Sequence, residues 1–392
     1  MNRKRAGRRL QLVAAAYSAW NRYLFFRLSP QRAHDAVIGS LRLLERNRAA
    51  AAVARKLRGL SPGSVTIEVG GARLSSPLIL AAGLLKGDGF ADEAEALRAV
   101  AAGRNIIPGW RIMPALAGPV EFGSFTRQPR LGNEGTVLWR EAESRSTQNR
   151  VGLRNPGARA AARFLGDRRS QLPPEFGINI AVSPGVTEID QQEREVVDSL
   201  DFFLDAGVHP TWFTLNLSCP NTEDDPQGFQ LESETKRLCG ALIARLRDRG
   251  LDIPLWAKIS PGLDAEQYGA LMRVFHEVGV KAVVATNTMP RPTPGADSES
   301  AGVGGGALFA DALDAVRKLY EARRRGGYDV DVIACGGILD GASFDAYRAL
   351  GVKAGQYWSA LVYRGPMAAA IIESELAQDE HEYEAVRRES LA

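Results

Sequence analysis

A short stretch of the sequence, TWFTLNLSCPNT at residues 211–222, brings together three side chains that could do chemistry. Its apolar first half predicts a buried strand, and its second half predicts a tight polar turn. Asn216 and Asn221 can each donate and accept hydrogen bonds, and the thiol of Cys219 can act as a base or a nucleophile. A thiol held between two amides beyond a strand could grip a small planar polar molecule and take a proton from it.

Short apolar runs alternate with helical patterns along residues 63–392. Eight runs read as strands, several of them continuously apolar as strands buried on both faces should be. They cover residues 78–82, 120–122, 176–180, 212–217, 254–259, 282–286, 330–334 and 355–358. Eight β/α units predict an α/β fold, a (β/α)8 TIM barrel with insertions, although periodicity alone leaves a doubly wound sheet open.

In such a barrel the chemistry gathers at the carboxyl ends of the strands, and polar or glycine signals recur at those ends here. Lys258 is the most informative of these residues. A lysine inside an apolar strand would bury its ammonium, which is costly unless the charge is paired and therefore suggests a function. The alternative interpretation is that the Lys258 side chain reaches solvent. Gly336 and Gly337 suit a phosphate cradle of backbone N–H groups, but paired glycines are also common turns.

Composition narrows the classes of function. The 392 residues carry a formal net charge of only +3 and no basic stripe with interleaved aromatics, so nucleic acid is not the expected partner. Cys219, Cys239 and Cys335 are widely spaced without a CxxC pair, which predicts neither a disulfide framework nor a metal site and fits a reducing cytoplasm. The four histidines are scattered, so histidine is not the expected base.

Residues 1–62 differ from the rest of the chain and predict a separate N-terminal helical module. Basic residues precede an aromatic stretch, and Ser29 with Pro30 predicts the start of a helix. The stretch is too short and too interrupted for a confident membrane span. Two interpretations remain: a module that lies in a membrane interface, which we favour, and a helical cap packed on the main domain.

The motifs together resemble the dihydroorotate dehydrogenase family, FMN-containing barrels of pyrimidine synthesis. The likeness covers nearly the whole chain. The segments that carry it are AAGLLK, NRVGLRNPG, NLSCPNT, WAKISPGLD, VVATNT, GVGGGAL, ACGGI and ALVYRGP, in the family's order. YLFFRLSPQRAHDAV also resembles the helical extension of the membrane-associated, quinone-reducing class 2 enzymes. The resemblance implies an FMN-binding barrel over residues 63–392 and a cytoplasmic protein that is peripheral on the inner face of the membrane.

The resemblance also implies the roles of individual residues. The residues implied to contact the flavin ring and the ribityl chain are Ala82, Gly83, Ser124, Asn179, Lys258 and Thr286. Those implied to bind the phosphate end of FMN are Gly305, Gly336, Gly337, Trp358 and Ser359. Hydrogen bonds to the pyrimidine ring fall on Asn149, Asn216, Asn221, Asn287 and Thr288, with Lys86 pairing the substrate carboxylate.

The implied chemistry is the oxidation of dihydroorotate to orotate. Flavin N5 takes a hydride from C6, Cys219 takes the proton from C5, and the electrons pass to a quinone. One alternative is a related flavoprotein that acts on another dihydropyrimidine or an enone. An alternative of another class is a non-catalytic flavin-binding scaffold or partner subunit.

The chain departs from the family pattern at several points. Class 2 members use serine as the base, whereas Cys219 is the class 1 choice. The segment after the base, NTEDDPQGFQLES, is acidic where the family has a glycine-leucine-arginine continuation, which bears on substrate identity. Leu85 replaces a usual aspartate, and Trp358 a common tyrosine. Residues 104–116 read as an insertion, which we expect on the face away from the chemistry.

Overall fold

The computed structural model describes residues 10, 12, 14–17, 19–21, 23, 25–59, 65–217 and 229–389. The strands of this part of the chain are β1 Ile67–Val69, β2 Ala72–Leu74, β3 Leu78–Leu80, β4 Val120–Phe125, β5 Leu138–Glu141, β6 Ser146–Asn149, β7 Phe176–Ala181, β8 Trp212–Asn216, β9 Leu255–Ile259, β10 Ala282–Ala285, β11 Met289–Thr293, β12 Ala296–Gly305, β13 Asp331–Cys335 and β14 Gly355–Tyr357.

The α-helices of the same residues are α1 Pro30–Leu44, α2 Arg48–Arg58, α3 Glu93–Ala101, α4 Ile112–Ala117, α5 Ala158–Gly166, α6 Ile189–Asp205, α7 Phe229–Asp248, α8 Ala265–Val278, α9 Phe309–Gly326, α10 Gly341–Arg348, α11 Ser359–Arg364 and α12 Ala368–Glu389. Short 3-10 helices occupy Phe25–Arg27, Arg169–Gln171 and Gly306–Leu308.

Eight of the strands close into a barrel in the order β3-β4-β7-β8-β9-β10-β13-β14. Neighbouring strands pair in parallel throughout, and helices connect them. Every residue of β4, β7 and β9 is buried, as their mainly apolar character predicts. The predicted (β/α)8 TIM barrel is therefore confirmed, with all eight expected strands in place.

Two tryptophans close the amino end of the barrel. The rings of Trp212 and Trp256 stack with centroids 4.5 Å apart, and both side chains are fully buried. Trp256 Nε1 donates to the carbonyl oxygen of Gly70, in the turn of the β1–β2 hairpin, at 2.8 Å. Because this end is filled by the hairpin and the indoles, the polar side chains of the strands gather at the opposite end.

A second, antiparallel sheet stands beside the carboxyl ends of the barrel strands. Its order is β11-β12-β6-β5, and it brings residues 138–149 together with residues 289–305. β11 begins one residue after Thr288, so this sheet forms a wall next to the residues expected to bind substrate. The sequence patterns did not predict it.

The N-terminal helices dock on the barrel. Ser29 caps α1 as predicted, since its Oγ accepts from the backbone N–H of Arg32 at 3.4 Å. Near the end of α1, Leu41 is buried in the main core. At the end of α2, Arg58 donates to both carboxylate oxygens of Glu373 at 2.9 and 2.7 Å. The N-terminal helices therefore form a cap on the main domain.

The insertion at residues 104–116 lies against the loop that follows β3, so the expectation that it lies away from the chemistry is wrong. Asp88 in this loop donates its backbone N–H to the carbonyl oxygen of Ile106 at 2.8 Å. A Cβ added to Gly109 would lie 3.1 Å from the side chain of Leu85. After α3 the chain turns back toward the loop that follows β3, because the apolar side chains of the insertion are buried against that loop.

Glu45, which follows α1, ties that helix to the insertion. Its carboxylate accepts from Asn105 Nδ2 at 2.6 Å and from the backbone N–H groups of Gly109 and Arg111, each at 2.9 Å. The insertion thus fills the space between the N-terminal helices and the loop after β3. No helix among the described residues combines the length and the apolar character needed to cross a membrane.

Candidate active site

Three polar side chains from three strand ends meet at the carboxyl end of the barrel. Asn287 Nδ2 donates to Asn216 Oδ1 at 2.9 Å, and Asn216 Nδ2 donates to Ser124 Oγ at 3.3 Å. Asn216 is the last residue of β8, and Asn287 follows the end of β10. The barrel places them together because the ends of parallel strands converge there.

The proposed base and one amide lie outside the described residues. Cys219 and Asn221 both fall in residues 218–228, three and five positions beyond Asn216. The two described cysteines are poor bases: burial raises the pKa of Cys239 to about 12 and also raises the pKa of Cys335. Cys219 therefore stays the candidate thiol.

Lys258 is buried in the barrel centre and is not a surface lysine. Its side chain is on β9, opposite Asn216 of β8 in the strand register. The Nζ donates to Gln356 Oε1 at 2.9 Å. The partner oxygen offsets part of the cost of burying the ammonium, and the charge is held at one position in the barrel.

Asn179 on β7 is fully buried, and the nitrogen of its side-chain amide is hydrogen-bonded. Its Nδ2 donates to Glu121 Oε1 at 2.8 Å. Its Oδ1 is buried, and the described residues offer it no hydrogen-bond donor. A buried acceptor without a donor is costly, so this oxygen suits a ligand N–H.

The glycines expected at the phosphate end gather around the start of α9. A Cβ added to Gly337 would lie 2.5 Å from Phe309 Cβ, and one added to Gly336 would lie 2.4 Å from Ala312 Cβ. Gly305, with a φ of +86°, closes against the carbonyl oxygen of Arg145. Gly336 and Gly337 thus pack directly against the start of α9, and glycine backbone beside a helix N-terminus suits a phosphate.

The remaining expected cofactor residues line the space between the barrel strands and these glycines. Ser359 Oγ and Thr147 Oγ1 lie 2.8 Å apart, which links β6 to the start of α11. The half-buried Trp358 faces Gly83, whose added Cβ would lie 3.3 Å from the indole nitrogen. Ala82 precedes Gly83 in the same loop, and Thr286 follows β10 as a buried side chain.

These features fit a flavin mononucleotide. The ring of such a cofactor carries both an N–H donor and carbonyl acceptors, and the other end carries a phosphate. Asn179 offers an acceptor, Lys258 a cation, and the glycine cluster at α9 an anion site.

Lys86, in the loop after β3, is the expected partner of a substrate carboxylate. Burial first, and the charge of Arg154 second, together lower its pKa to about 8. Among the described hydrogen bonds and ion pairs, none involves its ammonium. A lysine with this pKa is ready to bind a carboxylate at neutral pH and becomes neutral in mild alkali.

His34 of α1 reaches the same region. Burial lowers its pKa, Asp35 opposes that shift, and the charges of Lys86 and Arg154 lower it further. The electrostatic coupling to Lys86 means that the N-terminal helices approach the expected substrate site.

Asn149 and Thr288 meet at Gly302. Asn149 Nδ2 donates to the carbonyl oxygen of Gly302 at 3.4 Å, and a Cβ on Gly302 would lie 2.1 Å from Thr288 Oγ1. Gly302 lies on β12, so the wall sheet holds these two residues side by side. Asn149 and Thr288 are thus neighbours at the wall sheet, beside the carboxyl ends of the barrel strands.

Sequence reasoning missed the residues under the site. Glu121, Trp212, Thr214 and Gln356 form a hydrogen-bonded group below Asn179 and Lys258. The available signal was an acidic residue inside the apolar run VEFGSF of β4. A lone charge in a strand does not reveal its partners, so the group emerges only in three dimensions.

Comparison with known proteins gives a consistent family. The family model described as dihydroorotate dehydrogenase matches residues 64–379. A protein of Anaeromyxobacter dehalogenans named dihydroorotate dehydrogenase (quinone) is 29% identical over 371 residues, covering 91% of each chain. A protein of the same name from Roseiflexus castenholzii is 31% identical over 366 residues, again covering 91% of each.

A solved structure supports the fold. The crystal structure of DHODH in complex with ferulenol from Eimeria tenella aligns with a TM-score of 0.68 at 22% sequence identity. The alignment covers 91% of this chain and 93% of that one.

Proposed function

The chain belongs to the dihydroorotate dehydrogenase family, and on that premise we propose that it oxidises dihydroorotate to orotate with FMN as cofactor and a quinone as electron acceptor. The observation that carries the proposal is the row of Ser124, Asn216 and Asn287 at the strand ends, together with the cation Lys86 in the loop after β3. A planar ring with amide groups and a carboxylate matches that set of donors and acceptors.

The substrate would be held by amides on its ring edge and by one cation. Asn149, Asn216, Asn221, Asn287 and Thr288 would bind the ring, and Lys86 would pair with the carboxylate. Several hydrogen bonds to one rigid ring fix its orientation, which lowers the barrier by positioning.

Cys219 would take the proton from C5 while the hydride leaves C6. An ordinary thiol pKa of about 8.5 is close enough to neutral for this role, given modest local help. FMN supplies the hydride acceptor when bound. Its ring would contact Ala82, Gly83, Ser124, Asn179, Lys258 and Thr286, and its phosphate end Gly305, Gly336, Gly337, Trp358 and Ser359.

The N-terminal module, residues 1–62, would serve the quinone. It caps the main unit, residues 63–392, close to Lys86, since Arg42 of α1 pairs with Asp88, two residues after that lysine. Eight of the ten large apolar side chains that the described residues expose lie between residues 12 and 57. Such a surface suits peripheral contact with a membrane, where a quinone would be found. We propose that the protein lies on the inner, cytoplasmic face of that membrane.

The test is anaerobic reduction of the bound flavin by a panel of dihydropyrimidines. Dihydroorotate should bleach the flavin absorbance fastest, and dihydrouracil, which lacks the carboxylate, should fail because Lys86 then has no partner. Faster bleaching by a substrate without the carboxylate would contradict the assignment and favour a different dihydropyrimidine or enone. Bound flavin that no dihydropyrimidine reduces would favour a scaffold role.

A further inference from the structure

Glu121 is a fully buried carboxylate in the middle of β4, and four donors converge on it. Its Oε1 accepts from Asn179 Nδ2 at 2.8 Å. Its Oε2 accepts from Trp212 Nε1 at 2.9 Å, from Thr214 Oγ1 at 2.7 Å and from Gln356 Nε2 at 3.1 Å. Donors on all sides replace the water that a carboxylate loses on burial.

An ionised carboxylate only accepts hydrogen bonds, so it decides which way its amide partners face. The Asn179 amide must turn its nitrogen to Glu121, which leaves Oδ1 pointing elsewhere; that atom is buried and has no donor among the described residues. The Gln356 amide must likewise turn its nitrogen to Glu121, which leaves its Oε1 to accept from Lys258 Nζ at 2.9 Å.

We propose that Glu121 is a positioning residue that sets the hydrogen-bond polarity of the cofactor site, making Asn179 an obligate acceptor and fixing Lys258 through Gln356. The inference rests on the proposed placement of the flavin at Asn179 and Lys258. The isoalloxazine ring carries a single N–H in its pyrimidine part, at N3, and this is the donor that Asn179 Oδ1 would take. Glu121 touches neither cofactor nor substrate and acts through the two amides.

The experiment measures which flavin the site prefers. Full-length holoenzyme is incubated with an excess of an equimolar mixture of FMN and 3-deaza-FMN, in which a CH2 group replaces the N3–H and removes the donor with little change of size. The bound flavins are then released and quantified. The wild type should retain FMN over the analogue by about tenfold or more, because the analogue leaves a buried acceptor unpaired.

Glu121→Gln should reduce this preference by about fivefold or more, because the Asn179 amide is then no longer fixed. General damage to the site weakens both flavins alike and leaves the ratio unchanged, so a wild-type ratio in a folded Glu121→Gln protein overturns the proposal. Glu175→Gln is the matched control: this glutamate precedes β7, the strand that carries Asn179, at the opposite end of the barrel and accepts from Ser75. It should keep the full preference.

Asn179→Ala covers the case in which Glu121→Gln does not fold. Removing the acceptor should bring the ratio close to one, and an unchanged ratio would overturn the acceptor assignment. Both outcomes are independent of the proposed reaction, since flavin choice is measured without substrate. Failure of dihydroorotate to reduce a flavin that shows the expected preference would count against the reaction alone.

Discussion

The amide of Asn287 donates to the amide oxygen of Asn216 at 2.9 Å, and this bond orders the substrate end of the site. Because Asn216 Oδ1 is engaged by Asn287, its Nδ2 faces Ser124 Oγ. The Ser124 hydroxyl accepts that bond and keeps its own proton free to donate. One contact between two strand ends therefore sets the direction of a row of three groups.

Asn216 and Asn287 should act as a unit. Asn216→Ala and Asn287→Ala should each lower kcat/KM for dihydroorotate by about tenfold or more, and the double variant should lose less than the two effects added together. We expect a coupling energy of about 1 kcal/mol in a double-mutant cycle, since the single variants break the same bond. Pairing Asn216→Ala with Asn133→Ala, whose amide binds the Arg150 carbonyl on the surface, should give additive effects.

Cys219→Ala should slow anaerobic flavin reduction by about 10²- to 10⁴-fold while FMN stays bound, because a general base contributes that much. Cys219→Ser should keep partial activity with a shifted pH profile. The control is Cys239→Ala on α7, a buried thiol whose pKa is raised to about 12 and which should leave the rate unchanged. A normal rate in Cys219→Ala would remove this residue from the base role.

Substrate affinity should fall in mild alkali. Burial and Arg154 lower the pKa of Lys86 to about 8, so its ammonium loses its proton above that pH and no longer pairs with the substrate carboxylate. The KM for dihydroorotate should be flat below pH 8 and rise by up to about tenfold per pH unit above it. Substrate binding above pH 8 should take up protons, which calorimetry in two buffers can measure.

Arg154→Gln should move the rise in KM to higher pH, because it removes a positive charge that disfavours the Lys86 ammonium. Arg159→Gln, which removes a surface arginine paired with Glu93, should leave the profile in place. A Lys86→Met enzyme should show a high KM without the alkaline rise. Persistence of that rise in Lys86→Met would assign it to another group.

Quinone reduction should depend on the docking of α1. Glu45→Ala removes the acceptor of three hydrogen bonds from the insertion, so α1, which carries His34, should lose its fixed position near the loop that holds Lys86. We expect quinone-dependent turnover to fall by about tenfold or more, with anaerobic reduction by dihydroorotate nearly unchanged. Glu266→Ala, at the exposed start of α8, is the control. Equal loss in both half-reactions would argue against a separate quinone role for the helices.

The eight barrel strands could be predicted because burial on both faces makes each a short, mainly apolar run, interrupted at most by single polar residues such as Asn179 and Lys258. The site residues then followed from strand ends and from the family resemblance. The wall sheet could not be predicted in this way. Its strands are polar or proline-containing, as in MPRPT of β11, and the pairing of β6 with β12 that joins its two halves links segments far apart in the sequence.

The insertion was placed wrongly for a related reason. Order along the chain put residues 104–116 before a strand, which suggested the amino end of the barrel. The position of the insertion is set instead by apolar packing, since Gly109 packs against both Leu41 of α1 and Leu85. The same contact gives a physical reason for leucine at position 85, because a buried aspartate there would face apolar neighbours.

The shared contacts of the insertion also bear on how such a chain could change over evolutionary time. Residues 104–116 are covered on one side by α1 and on the other by the loop after β3. Loss of the helices alone would expose one side of the insertion to water. Loss of the insertion alone would remove the three hydrogen-bond donors of the Glu45 carboxylate. Descendants should therefore gain or shed the two segments together, as a single heritable unit.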